Sequence, residues 1–282
     1  MKHVLFTHFF LIVIASGFAQ TSKFGKITNE QWEIKKSSFD SASNAVILFD
    51  VGNISFQTKE KSGVEIRDAD LKLQSDFFTL SYERHIRIKA LINDGIASDF
   101  LSFNLRSFDG KKDKLSFFKG ILIEQISGKE IQRKYNSSDL KKEIKKDGSS
   151  QMILELSDIK AGSIIDISYQ IETNVFTETP EWNFVNAYPN LYSELNFSIP
   201  DFVLLSKKCD SIKSLTYNSF SRSLKFGVSS PITDGWKYRS YSYTENNEKY
   251  SMSNISSSHE RKTTNKLKYI IDFIDFNSVS FK

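Results

Sequence analysis

At 282 residues with 39% hydrophobic side chains, the chain is long enough to bury a sizeable core, in one large domain or in two packed lobes. Its 38 basic and 34 acidic residues nearly balance, a formal charge of +4 that is too small to imply nucleic acid. Cys209 is the only cysteine, so no intramolecular disulfide can form and ordinary packing must hold the fold.

The first residues, MKHVLFTHFFLIVIASGFAQ, have the organisation of a secretory signal: Lys2 gives a basic start, Val4 to Ile14 an apolar segment, and Gly17-Phe18-Ala19 a small-x-small cleavage site. Cleavage after Ala19 makes residues 1–19 the signal peptide and Gln20 the new N-terminus. Of the 38 basic residues only Lys2 is lost, leaving 37 against 34 acidic ones. The apolar segment falls short of the roughly 20 residues a bilayer span needs, and no later stretch is long and uncharged enough. The mature chain is therefore expected to have no transmembrane segment. The residue immediately after the cleavage site is Gln20 and not the acylated cysteine of a bacterial lipoprotein, so the expected destination is the periplasm or the medium.

Past the signal, period-two alternation dominates. In YERHIRIKALI, an extended chain sends Tyr82, Arg84, Ile86, Ile88 and Ala90 to one face and Glu83, His85, Arg87 and Lys89 to the other. The second set is the charged side of the sheet, and His85 reads as lying on a solvated or hydrogen-bonded face, because a catalytic histidine needs an orienting acid and a reacting partner that spacing along the chain does not supply. SSDLKKEIKKDGSS reads as a short solvated helix, with Ser137 or Ser138 as cap, Leu140 and Ile144 on one side and Gly148 at its end. QMILELSDIKAG and SIIDISYQIETNV read as a β-hairpin, with Ile165, Ile167, Tyr169 and Ile171 inward and Asp166, Ser168, Gln170 and Glu172 outward. TETPEWNFVNAYPN, Thr177 to Asn190, is the expected lobe seam, with Trp182 and Phe184 packing across it. Leu195, Phe197 and Ile199 then alternate with Glu194, Asn196 and Ser198 until Pro200-Asp201 interrupts the strand. SLTYNSFSRSLKFGV and WKYRSYSYTENNEKYSMSNI read as two further hairpins. The sum predicts a mainly β, antiparallel, sandwich-like protein over residues 20–282 with at most short helices.

Reactive chemistry is sparse. Cys209, flanked by lysines, and the later His259 form the sharpest nucleophile–base pairing, but Cys209 has no helix start to activate it, and the expected reading is a structural thiol. Asp68-x-Asp70 lacks the glycine and distal glutamate of an EF-hand loop, so no metal is expected. No catalytic or cofactor-binding residue is assigned. Trp236, Tyr238, Arg239, Tyr241, Tyr243 and Tyr250 crowd one segment, and these amphipathic rings are the candidate ligand-binding set, for sugars or a protein partner. Alternating aromatics that simply fill a core are the competing reading.

Four segments, NAVILFDVGNISF, YERHIRIKALINDGI, LSDIKAGSIIDISYQIET and PEWNFVNAYPNLYSELNFSIPDF, stand in the order found in the domain of unknown function 3857, and the chain resembles that family from about Lys26 onward. The resemblance implies an extracytoplasmic β-rich domain of gram-negative bacteria, which in longer members precedes a transglutaminase-like region with a Cys, His and Asp set. No position here matches that set, so the expectation is an exported, noncatalytic binding, structural or accessory module of the cell envelope. A truncated or split component of a transglutaminase-like cysteine peptidase or amidase is the alternative, and a glycan-binding module a third. An envelope protein or a glycan is the expected partner.

Overall fold

A computed structural model of the chain describes residues 23–37, 40–58, 78–173, 179–209, 215–232, 234–258, 266–274 and 280–281. The signal segment, Asp68, Asp70 and His259 lie outside the described residues, as do the side chains of Cys209, Trp236 and Arg239.

The chain is mainly β. In order the strands are β1 (Ala45–Thr58), β2 (Phe78–Ala90), β3 (Ser102–Leu105), β4 (Ser107–Phe108), β5 (Lys111–Lys112), β6 (Lys114–Ile126), β7 (Lys129–Asn136), β8 (Leu140–Ile144), β9 (Ser150–Leu154), β10 (Ile164–Thr173), β11 (Trp182–Asn183), β12 (Asn190–Pro200), β13 (Val203–Cys209), β14 (Thr216–Ile232), β15 (Gly235–Ile255), β16 (Lys266–Ile274) and β17 (Ser280–Phe281). One α-helix, α1 (Asn29–Glu33), stands among the described residues, closed at its start by a capping box between Thr28 and Gln31. No helix among them is long and apolar enough to cross a membrane.

A large sheet runs β14-β15-β12-β1-β2-β10-β6-β7, with β17 beside β15. Two small sheets, β11-β16-β13 and β3-β9-β8, pack against it into one large domain. Stacked rings join the layers: Phe103 on Tyr169 at 4.2 Å, and Phe197 on Tyr269 at 4.0 Å. The ladders are antiparallel except β1–β12, which is parallel and sets Ile47 beside Asn190. That junction brings the starts of two central strands to the same end of the sheet.

Trp182 and Phe184 are buried in the core shared by strands from both sides of the 177–190 segment. The Trp182 ring lies on the β1 backbone at Gly52, where an added Cβ would stand 2.4 Å from it. The Arg84 guanidinium, in register with Gly52, lies over the same ring at 5.4 Å and is itself held bidentately by buried Asp50 at 2.8 and 2.7 Å. The inward face expected of β2 is the one found.

Three local expectations are corrected. The segment after Ser137 is not a helix: a short 3-10 turn, Ser137–Asp139, capped by Asn136, leads into β8. The four-residue spacing of Leu140 and Ile144 fits both periods, and pairing of Leu140 with buried Leu154 settles it as a strand. β9 and β10 do not form a hairpin, because β9 joins β8 and β3 while β10 enters between β2 and β6. The intervening turn docks on β2 instead, where Gly162 N–H donates to the Ala90 carbonyl at 2.8 Å. β14 and β15 are two arms of one hairpin, paired from Thr216–Ser251 to Ile232–Gly235. The apparent turn at Asn246 and Asn247 is ladder, with Ser221 and Ser198 hydroxyls donating to their side-chain oxygens at 2.8 and 2.7 Å.

Candidate functional site

On the large sheet's second face, Val46, Leu48, Phe49 and Ile164 form a minor core that the segment around α1 covers. Charged residues of β2 and β10 clasp that segment. Asp166, with no exposed surface, accepts from Arg87 Nη2 at 2.6 Å, Gly25 N–H at 2.7 Å and, in its protonated-Nε2 form, His85 at 2.6 Å. Arg87 also donates to the carbonyl oxygens of Lys26 at 2.8 Å and Lys23 at 3.0 Å, and to Gln31 Oε1 at 2.8 Å. Lys89 Nζ donates to the Gln31 and Trp32 carbonyls, 3.1 and 2.6 Å, satisfying acceptors that the short helix leaves open at its C-terminal end.

Arg87, Lys89 and Asp166 are thus buried, not solvated, a correction to the outward faces expected of β2 and β10. Burial alone would raise the Asp166 carboxyl, but His85 and Arg87 outweigh it and hold it below the ordinary carboxylate range. Burial pushes the Lys89 amine down to about 8. His85, on the hydrogen-bonded face expected for it, lies between Phe49 and Phe24 at 4.8 and 5.9 Å. It has the orienting acid that spacing along the chain could not reveal. That acid is shared with Arg87 and a backbone amide, so the arrangement first of all fixes the covering segment.

The four described candidate tyrosines do not share one surface. Tyr241 and Tyr250 are buried, Tyr243 packs half-buried against Phe202 at 5.5 Å, and Tyr238 is 67% exposed. Tyr250 belongs to a polar knot with Tyr269, Glu248 and Lys207. The two phenol oxygens are 2.8 Å apart, both phenols bond the Glu248 carboxylate, and Lys207 Nζ lies 3.4 Å from that carboxylate. Lys207 sits within 5.5 Å of the Tyr217, Tyr250 and Tyr269 ring centroids. Burial, then hydrogen bonding to Glu248, raises both the Tyr250 and Tyr269 phenols far above their ordinary value, so they remain donors. The knot ties the small sheet's β13 and β16 to the β14–β15 hairpin.

A larger concave feature lies elsewhere, at the end of the large sheet where β1 and β12 begin. A cleft of about 730 Å³ opens between the approach to β1, the 3-10 turn Ser98–Leu101, the approach to β12 and the exit from β15. This lies in the size range of small-molecule sites, roughly 300–1,000 Å³. Asp40, 7% exposed, accepts from Ser257 Oγ at 2.6 Å, and its N–H donates to Ser37 Oγ at 3.1 Å. Phe100 and Tyr188 meet edge to face at 5.0 Å, and Tyr188 Oη accepts from the Ala97 N–H at 2.8 Å. Asn44 is pinned through its carbonyl, which accepts from Leu91 N–H at 2.8 Å, and Gly95 makes that closeness possible: a Cβ there would stand 2.3 Å from the same oxygen. The sequence offered no signal for this site, since its residues come from four distant segments. Among the described residues, no group of three or more His, Cys, Asp or Glu side chains is placed to hold a metal ion.

No protein-family profile matches the chain, and no curated protein does. Among solved structures it is similar to a "putative protease" from Parabacteroides distasonis, with a TM-score of 0.50 and 10% identity. The match covers 82% of this chain and 41% of that one, so the chain spans about two fifths of that protein's length. At this identity the likeness concerns the fold.

Proposed function

We propose that the chain is an exported, noncatalytic β-sandwich protein that works by binding, as an accessory or structural module of the cell envelope, and that the cleft beside Phe100 and Tyr188 is its binding site. The observation that carries this reading is the cleft itself: a concavity of about 730 Å³ whose polar and aromatic walls are braced by hydrogen bonds. The charged constellation on β2, by contrast, is engaged in holding the segment around α1. The signal-like N-terminus and the resemblance to the domain of unknown function 3857 support an envelope location.

The test is a panel of glycan fragments and short peptides of both charges offered to the purified mature protein, read by amide chemical shifts at Asn44, Ala97 and Tyr188. Expected are saturable shifts at these positions that weaken in Tyr188→Leu, together with no hydrolysis or acyl transfer on peptide and amide substrates. Turnover that survives purification and disappears in His85→Ala would place chemistry at the His85–Asp166 contact and overturn the noncatalytic reading.

A second reading, a domain that accompanies a hydrolase in a longer or split protein, is motivated by the fold shared with two fifths of the protease-described chain. A separate polypeptide with a Cys, His and Asp set that copurifies with this chain and gains activity from it would favour that reading.

A further inference from the structure

We infer that the cleft takes a cationic group, an ammonium or guanidinium on an aliphatic stem, with Asp40 and Asp99 as its counter-charges and the Phe100–Tyr188 pair as its aromatic wall; this rests on the cleft being the binding site. Both carboxylates line the cleft, one on each side: Asp40 on the approach to β1, Asp99 on the 3-10 turn. Among the described residues, none that lines it carries a positive charge and neither aspartate is in an ion pair. Among the described residues the other buried carboxylates are matched: Asp50 meets Arg84, Asp113 meets Arg106, Glu124 meets Arg133, Asp166 meets Arg87, Glu194 meets Lys249 and Glu245 meets Arg222.

Asp40 therefore stands apart: the residue is 7% exposed, its carboxylate accepts from the Ser257 hydroxyl, and no cation among the described residues meets it at the wall of an open cavity. A buried carboxylate without a counter-charge is costly, and a bound cation relieves that cost. The same molecule already shows the chemistry, for Lys207 lies among three tyrosine rings beside Glu248 and Lys89 over Trp32. An aliphatic stem fits the mixed walls, which alternate small residues such as Ala42, Ala97 and Ala187 with the two rings.

The experiment titrates the mature protein with n-butylammonium and n-butylguanidinium as free cations, with acetyl-Gly-Lys-Gly-amide and acetyl-Gly-Arg-Gly-amide as peptide cations, and with n-butanol and butyrate as neutral and anionic isosteres. Amide shifts at Asn44, Ala97, Phe100 and Tyr188 are the readout. At least one cation is expected to bind saturably and about tenfold more tightly than n-butanol, weakening with added salt as an ionic contact must. Asp99→Asn, an exposed position, is expected to weaken the cation by about tenfold with folding unchanged, and it keeps the test valid if Asp40→Asn fails to fold. Tripeptides that bind more tightly than the free cations identify a peptide side chain as the source; equal binding identifies a free amine. Equal affinity for n-butanol and n-butylammonium, or no loss in Asp99→Asn, overturns the cation inference while leaving the cleft as a binding site. No shift at the cleft with any probe, glycan fragments included, overturns both.

Discussion

Asp166 and Arg87 face each other directly across the β10–β2 ladder, and the Asp166 Oδ2 accepts from Arg87 Nη2 at 2.6 Å with neither side chain exposed. His85, paired in register with Ser168, reaches diagonally to the other oxygen of the same carboxylate. One carboxylate thereby gathers two β2 side chains and the Gly25 amide.

Asp166→Asn is expected to destabilise the protein by about 3–5 kcal/mol, because the amide presents a donor to groups that are already donors and leaves Arg87 buried without its counter-charge. Denaturant melts measure the loss, and hydrogen exchange should quicken at Gly25 first. The carboxyl sits below its ordinary range in the folded protein, so its contribution is present above about pH 4 and fades as pH falls. The gap between wild type and Asp166→Asn should therefore shrink on acidification.

Lys89 gives the opposite sign. Its amine is lowered to about 8 by burial, against 10.5 when exposed, so between those values the unfolded chain holds more protons than the folded one. Stability should rise with pH across that window. Compared with Lys89→Met, whose side chain does not titrate, wild type is expected to gain ground from about pH 8 to about pH 10 in parallel denaturant melts. A difference that stays flat across this window would show that the amine is solvated.

Gly52→Ala tests the contact of Trp182 with β1. Glycine inside a strand costs about 0.5–1 kcal/mol relative to alanine, so open space would make this change stabilising. The ring at 2.4 Å from the new Cβ decides the sign, and a loss of about 1–3 kcal/mol is expected, with altered Trp182 fluorescence.

Export is tested by intact mass. The protein recovered from envelope or medium fractions should begin at Gln20, and an uncleaved cytoplasmic chain would refute the signal reading.

Alternation alone determined the inward faces of β10 and β12: Ile165, Ile167, Tyr169 and Ile171 are buried, as are Leu195, Phe197 and Ile199, because a pleated chain sends every second residue to one side whatever its neighbours are. It could not say which strands pair. The turn after β9 and the polar run in β15 carry residues that suit a reversal, yet ladder partners from distant sequence fix the outcome at both places. Nor could it tell a solvated polar face from a covered one. Arg87, Lys89 and Asp166 alternate as surface residues do, and only the docking of the segment around α1 makes them interior. The cleft was invisible for the same reason: Asp40, Asp99, Tyr188 and Ser257 become neighbours only where the parallel β1–β12 junction brings two strand starts together, a relation that no local pattern encodes.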